Sequence, residues 1–393
     1  LDFEHLTALK DLMTQYQGTL LVVTHNRYLL NHCFQKVLHL ENCKLLSFEG
    51  GYISYTYSLL ETKIDCTELA EKDTEELARN EILIENLRDI AENSDSASNG
   101  RSLRARVSYQ ERLEARRTHN PFLNLQKPNF EFLSEGGVPD EIALTVRDFS
   151  LAFEETILDN VNFEIKFTDK VGVIGGNGTG KTSLLREIYK NSNQSITFHE
   201  GVTLSYLSQN HDEMFSSDQS IFDLFFDLGF PTYDTISDYL KGFCFPIEKM
   251  DQQISRLSGG EKNTLGLAVI CHKKSNFLIL DEPTSHLDTV GQIAFEAGLS
   301  RYQGGCLMIS HDFYTLSNCM DYLLILEEKT VRKMQLRKFR KKTYANHFTH
   351  DYLALEQHKK QLETKIESAL SYKNIELARE ILLELEQVVK EMS

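Results

Sequence analysis

Residues 171–183 read "VGVIGGNGTGKTS". A β-branched apolar run is followed by Gly175, four residues, then Gly180, Lys181 and Thr182. This spacing is that of a phosphate-binding loop, and each position has a physical reason. Glycines let successive backbone N–H groups turn inward around phosphate oxygens, the lysine supplies a point charge to the β and γ phosphates, and the threonine hydroxyl faces Mg²⁺. The stretch "SLLREIYK" then continues as a helix, whose N-terminus adds partial positive charge. Gly175, Asn177, Gly178, Gly180, Lys181, Thr182 and Ser183 are therefore the candidate nucleotide contacts.

Further along, "NFLILDEPTSHLD" (276–288) is an apolar strand ending in two acids. A buried strand that delivers Asp281 to its carboxyl end suits a Mg²⁺-associated carboxylate, and Glu282 beside it is placed to orient or deprotonate water. Between these stretches lies "LSGGEK" (257–262), where Ser258, Gly259, Gly260 and Glu261 open a predicted helix. That is a second anion-binding helix end. One phosphate does not need two cradles, so the second is expected to serve a nucleotide held by another copy of the domain.

The ordered set GGNGTGKT, LSGGE, FLILDE and LMISHD resembles the ATP-binding cassette family. The resemblance implies an α/β P-loop fold, ATP and Mg²⁺ as ligands, and two cassettes facing head to tail across the nucleotide. It further implies that Gln209 in "YLSQN" is the Q-loop glutamine, a Mg²⁺ contact with Thr182 and Asp281. Phe153 becomes the aromatic against adenine and His311 the switch histidine. Lys181, Gln209, Glu282 and His311 are then the catalytic set, while Ser258, Gly259, Gly260 and Glu261 complete the opposite site.

Shifting the chain by 286 positions places Leu1-Asp2 on Leu287-Asp288, Gly18 on Gly304, His25 on His311, Tyr28 on Tyr314 and Cys33 on Cys319. Thus "YQGTLLVVTHNRYLL" repeats "YQGGCLMISHDFYTL", a period that signals duplicated domains rather than a solenoid. Residues 1–51 are expected to be the tail of a first cassette, a strand, helix and strand remnant, with His25 as the switch histidine of that cassette. The chain is accordingly expected to be the C-terminal part of a longer two-cassette protein. Its missing first cassette in cis would make hydrolysis by this piece weak, and concentration-dependent turnover would indicate a homodimer.

Residues 52–138 carry no phosphate motif. From about Tyr57 to Glu92 the sequence has neither Pro nor Gly and predicts one long helix, broken by "NSDSASNG" at 93–100. "RSLRARVSYQERLEARR" resumes as a basic helix, giving a helical hairpin with a polar tip, and "HNPFLNLQKPNFEFLSEGG" returns irregularly to the second cassette at 139–343. At 344–393, Tyr352, Leu355, Lys359, Leu362, Ile366 and Ala369, then Ile375, Ala378, Leu382, Leu385, Val389 and Met392, repeat a 3,4 spacing. That predicts an antiparallel helical hairpin, with a structural cap favoured over a second RNA-binding arm.

A helical linker of this kind, with "DEPTSHLD", resembles the ABC-F proteins, although Ser285 and "EKNTLGLA" depart from that family's usual residues. The resemblance implies a cytoplasmic protein whose linker enters the ribosome and approaches rRNA and tRNA, in translation regulation or in ribosome protection against antibiotics. Arg101, Arg104, Arg106 and Arg112 are the linker residues expected on RNA phosphates, because guanidinium forks match phosphate geometry. Helix-surface charges paired with linker glutamates are the plainer alternative.

Charge supports a local contact over general adhesion. The chain has 58 acidic and 42 basic residues, a net −16, which argues against coating nucleic acid. Residues 60–96 carry a net −8, residues 101–117 a net +4, and residues 332–342 seven bases without an acid. No apolar run approaches the roughly 20 residues of a membrane span, so no membrane insertion is expected. Seven cysteines without a C-x-x-C pair read as thiols in a reducing compartment. Two other readings stay open at this point: a cassette ATPase acting in DNA repair or energising a membrane transporter, and a binding module whose ATP site is structural.

Overall fold

The computed structural model describes residues 3–41, 44–92, 97–116, 127–135, 138, 140–210, 213–215, 218–345 and 352–392. In chain order the elements begin with α1 (Phe3–Gln15), α2 (Arg27–His32), β1 (Lys36–Glu41), β2 (Lys44–Glu49), α3 (Tyr52–Glu92) and α4 (Ala97–Arg116). They continue with β3 (Ile142–Ala152), β4 (Thr156–Lys166), β5 (Lys170–Gly175), α5 (Lys181–Lys190), β6 (Ile196–Phe198), β7 (Leu204–Leu207), α6 (Ile221–Asp227) and α7 (Tyr233–Lys241). The remainder is α8 (Gly259–His272), β8 (Phe277–Asp281), α9 (Thr289–Arg301), β9 (Gly305–Ile309), α10 (Phe313–Cys319), β10 (Tyr322–Glu327), β11 (Thr330–Gln335), α11 (Leu336–Ala345), α12 (Tyr352–Ser371) and α13 (Ile375–Met392).

The chain forms two compact units. Leu1–Cys33 and Gln126–His347 make the first, Phe34–Leu125 and Phe348–Ser393 the second. In the first, a six-stranded sheet has the order β11-β10-β5-β9-β8-β7, parallel throughout except for the β10–β11 pair. β8 and β9 are buried along their whole length, as a parallel sheet covered on both faces requires. A three-stranded antiparallel sheet, β4-β3-β6, contributes Leu144, Val146, Phe149, Val161 and Ile165 to the same core as Val171, Val173, Leu184 and Leu307. This is the α/β P-loop architecture expected from the motifs.

One part of the N-terminal repeat does not take the expected form. Residues 16–26 form neither helix nor strand, and Leu21 and Val23 are 80% and 93% exposed, whereas the matching Leu307 and Ile309 are fully buried in β9. β9 is held between β5 and β8. No described strand lies beside residues 20–23, and a strand without a neighbour has nothing to satisfy its backbone groups.

In the second unit, β1 and β2 pair antiparallel from Lys36↔Glu49 to Glu41↔Lys44. α3 runs for 41 residues, about 60 Å at 1.5 Å per residue. α4 lies antiparallel along its distal part, where the buried Asn80 amide donates to Gln110 Oε1 (2.6 Å) and Tyr109 Oη donates to Glu76. Nearer its start, Leu60 and Ile64 join Leu362, Ile366, Ala378, Leu382 and Leu385 in one apolar cluster. Leu362, Ile366, Ala378, Leu382 and Leu385 are seam residues of the predicted C-terminal hairpin, the packing of α3 against them was not predicted, and both helical hairpins form as expected. Of the polar break expected at 93–100, residues 97–100 instead form the first turn of α4, while residues 93–96, like residues 117–126 of the return, lie outside the described residues. Among those described, no helix is long and apolar enough to cross a membrane.

Candidate nucleotide site

The carboxyl edge of the six-stranded sheet gathers the motifs. β5 ends at Gly175, and the loop turns back into α5 through Gly178 (φ 79°) and Gly180 (φ 90°), both in the left-handed region that favours glycine. A Cβ on Gly180 would come within 2.7 Å of Ile157 Cγ2, and one on Gly175 within 2.8 Å of the Leu326 carbonyl oxygen. Lys181 is buried, and its ammonium donates to the carbonyls of Gly175 (2.9 Å) and Gly176 (2.7 Å). Thr182 and Ser183 follow half-buried on the first turn of α5, while Asn177 and Gly178 face outward.

Neighbouring strands supply the remainder. β9 adjoins β5 and β8 adjoins β9, with Asp281 opposite Ile309, so Asp281 and Glu282 emerge beside the turn carrying His311. His311 Nε2 lies 3.5 Å from Glu282 Oε1, with both side chains largely buried. Glu282 itself has φ 53°, an uncommon value for a residue with a Cβ, and its N–H is fixed by the Ile309 carbonyl at 3.0 Å. Backbone held in this way concentrates at working sites. β7 pairs with β8, so Gln209, two residues beyond β7, lies exposed on the same edge.

Burial dominates the electrostatics. It pushes the Glu282 carboxyl up to about 7, reinforced by the neighbouring Asp281 charge. The same burial raises Asp281, opposed by the Thr182 hydroxyl and the Lys181 ammonium. Asp281 is 2% exposed, and both of its oxygens are buried without a hydrogen-bond partner. An orphaned carboxylate next to a threonine hydroxyl fits Mg²⁺, a hard cation that takes oxygen ligands. Among the described residues no group of three or more His, Cys, Asp or Glu is arranged to hold a metal unaided.

Residues 158–285 match the family model described as ABC transporter. The fold around the site is that of an ATP-binding cassette. The chain is 27% identical over 340 residues to the Escherichia coli K12 "Probable ATP-binding protein YheS", covering 84% of this chain and 51% of that protein. It is 27% identical over 354 residues to the Bacillus subtilis "Ribosome protection protein VmlR", covering 85% and 64%. It is also 27% identical over 342 residues to the Arabidopsis thaliana "ABC transporter F family member 5", covering 84% and 47%. The chain thus spans about half to two-thirds of the length of these relatives.

The signature stretch of the cassette begins at an exposed turn. Ser258 caps α8 by accepting from the Glu261 N–H (3.3 Å), and Glu261 accepts in return from the Ser258 N–H (2.9 Å). Lys249 pairs with the other Glu261 oxygen, and these bonds hold the Glu261 carboxyl below its usual range. Glu261 therefore shapes the helix end, leaving the N–H groups of Gly259 and Gly260 at its mouth.

Other predicted residues stand apart. Phe153 is 68% exposed on the turn between β3 and β4. That turn borders a cavity of about 360 Å³ lined by Thr156, Ile157, Gly178, Thr179 and Lys329, among others, but not by Phe153. His25 is exposed on the irregular stretch before α2. On α4, Arg101, Arg104 and Arg112 are exposed and fall within an arc of about 80° at 100° per residue. Arg106 points to the other side, where its guanidinium donates to Asn80 Oδ1 at 3.3 Å.

Two supports of the cassette site were not legible in the sequence. Asn263, fully buried in α8, donates to the Pro283 carbonyl (2.9 Å) and ties the signature helix to the turn after Glu282. Arg186 of α5 pairs with Glu213 at 2.6 Å, and Glu213 accepts from Ser208 Oγ at 3.1 Å, which fixes the residue before Gln209. Both join residues far apart in the chain, and neither belongs to a local pattern.

Proposed function

We propose that this protein is an ATPase of the ABC-F type that acts on the ribosome through the α3–α4 hairpin, in the cytoplasm. The observation that carries the ATPase reading is the meeting of Lys181, Asp281, Glu282 and His311 at one sheet edge. The phosphate loop and Lys181 would hold the phosphates, and Thr182, Asp281 and Gln209 would hold Mg²⁺. When bound, that ion neutralises phosphate charge. Glu282 in its deprotonated form would accept a proton from water, His311, 3.5 Å from that carboxylate, would hold it in place and stabilise the γ-phosphate, and the buried setting would strengthen both effects. Ser258, Gly259 and Gly260 would close a nucleotide held by a second cassette. The 286-residue repeat supports residues 1–51 as the tail of such a cassette in cis, with His25 in its hydrolytic site.

Two relatives support the ribosomal part: one is named a ribosome protection protein and one an ABC transporter F family member. The arginine face of α4 is the matching physical feature, a strip of guanidinium groups at the distal end of an acidic rod. Arg101, Arg104 and Arg112 would meet RNA phosphates, with Arg106 holding α4 against α3. The direct test of the catalytic assignment is nucleotide binding and turnover in the complete gene product. Lys181→Ala should weaken ATP binding at least tenfold. Glu282→Gln should keep binding while slowing turnover by about a hundredfold or more. Unchanged turnover in Glu282→Gln would remove the hydrolytic assignment and leave a binding module.

A further inference from the structure

A cluster of buried charges lies beyond the phosphate loop, in the same compact unit. Arg27, the first residue of α2, is 8% exposed. One of its guanidinium nitrogens lies 2.5 Å from Glu296 Oε1, 2.7 Å from Asp312 Oδ2 and 3.4 Å from Thr315 Oγ1. The guanidinium also sits over the Tyr314 ring, 4.8 Å from its centroid. Glu296, on α9, is 1% exposed and accepts from Thr315 Oγ1 (3.1 Å) and Asn318 Nδ2 (2.9 Å).

A buried ion pair is a weak stabiliser, because desolvation offsets much of the attraction. Its location is more informative here. Asp312 divides its carboxylate: Oδ1 caps α10 by accepting from Tyr314 N–H (2.8 Å) and Thr315 N–H (3.4 Å), and Oδ2 holds Arg27. Asp312 directly follows His311, whose Nε2 is 3.5 Å from Glu282. Arg27 stands two residues after His25. Under the 286-residue repeat Arg27 falls on Phe313, a buried apolar residue, so the arginine is not a feature that both copies share.

We propose that Arg27 is a positioning residue for His311. By clasping Asp312 it fixes the turn that carries the imidazole to Glu282, and the segment bearing His25 thereby sets the geometry of the second-cassette site. One guanidinium nitrogen bridges the two carboxylates while the group sits over the Tyr314 ring, and these three contacts together set its position. Without the guanidinium, Glu296 and Asp312 would face each other as like charges, and Asp312 would be free to reorient about the α10 cap. The inference rests on the assignment of Glu282 and His311 to hydrolysis.

The test uses protein labelled at histidine Cε1, with the His311 signal assigned through His311→Gln. The informative variant is Arg27→Met with Glu296→Met, which removes both buried charges in favour of side chains that pack; Arg27→Gln with Glu296→Gln, neutral but hydrogen-bonding, serves if the pair unfolds. In the folded variant the His311 ring signals should move, kcat for ATP should fall about tenfold or more, and KM should stay within about twofold. Arg27→Lys should recover part of kcat. Parental His311 signals and parental kcat in the folded variant would reduce the clasp to a packing contact and overturn the proposal. If Glu282→Gln leaves turnover intact, the hydrolytic reading fails on its own, while the His311 signals still decide whether Arg27 positions that ring.

Discussion

Glu282 combines a left-handed backbone, a largely buried carboxyl and an imidazole 3.5 Å away. Its carboxyl, raised to about 7, binds a proton more tightly in the folded chain than in the unfolded one. Its contribution to stability is therefore fully present below the ordinary carboxylate range and is lost as pH rises through about 7. Glu282→Gln removes the charge that burial disfavours. In the absence of nucleotide and metal, the variant should be more stable than the parent at pH 8, by on the order of 3 kcal/mol at most, and nearly equal to it at pH 4. Denaturant unfolding at the two pH values measures this. Equal stability at both would place Glu282 in a better solvated setting. Arg27→Met alone should have the opposite sign, destabilising by about 3 kcal/mol because the buried Glu296 and the half-buried Asp312 lose their cation.

At the scale of elements, the phosphate loop, β8 and the turn after β9 were legible because local chemistry dictates them. Glycine spacing sets the loop, and continuous apolar runs set the buried parallel strands. The two helical hairpins were legible from composition and from the 3,4 spacing, which predicted Leu362, Ile366, Leu382 and Leu385 in one cluster. The strand expected at residues 20–23 did not form, because an extended apolar run becomes a strand only beside a neighbour. Residues 127–135 show the converse. They read as an irregular return, yet Phe130 and Phe132 are buried against Phe295 of α9. That contact depends on Gly298, where a Cβ would lie only 2.1 Å from the Phe130 carbonyl oxygen. Gly298→Ala should therefore cost about 1–3 kcal/mol in thermal or denaturant unfolding, against the usual gain from Gly→Ala within a helix. In the linker hairpin, Asn80→Ala should open α4 from α3, seen as faster amide exchange along both helices, because it strands the Gln110 amide in a buried contact.

Over the whole molecule, acid and base are separated along the chain: the acidic stretch forms α3 and the arginine strip forms α4. Within the second unit, Arg379 of α13 reaches Asp65 at 2.7 Å and Glu68 at 2.6 Å on α3. Arg379 and Lys72 hold the Glu68 carboxyl down at about 2. This attachment is present above the ordinary carboxylate range and is lost as pH falls toward 2. Amide exchange in α13 should accelerate over that window, and Arg379→Gln should flatten the dependence; since the pair is exposed, salt should weaken it as well. The separation of charge gives the linker one face able to meet a polyanion while the body stays acidic, which favours a specific docking site. The most direct measurement is co-sedimentation of the complete gene product with ribosomes, carrying Glu282→Gln, in ATP and in ADP, with and without Arg101, Arg104 and Arg112 changed together to Ser. Ribosome binding is expected in ATP, and is expected to be lost in ADP and lost with the three arginines. Intact ATP binding without co-sedimentation, or co-sedimentation indifferent to those arginines, would contradict it.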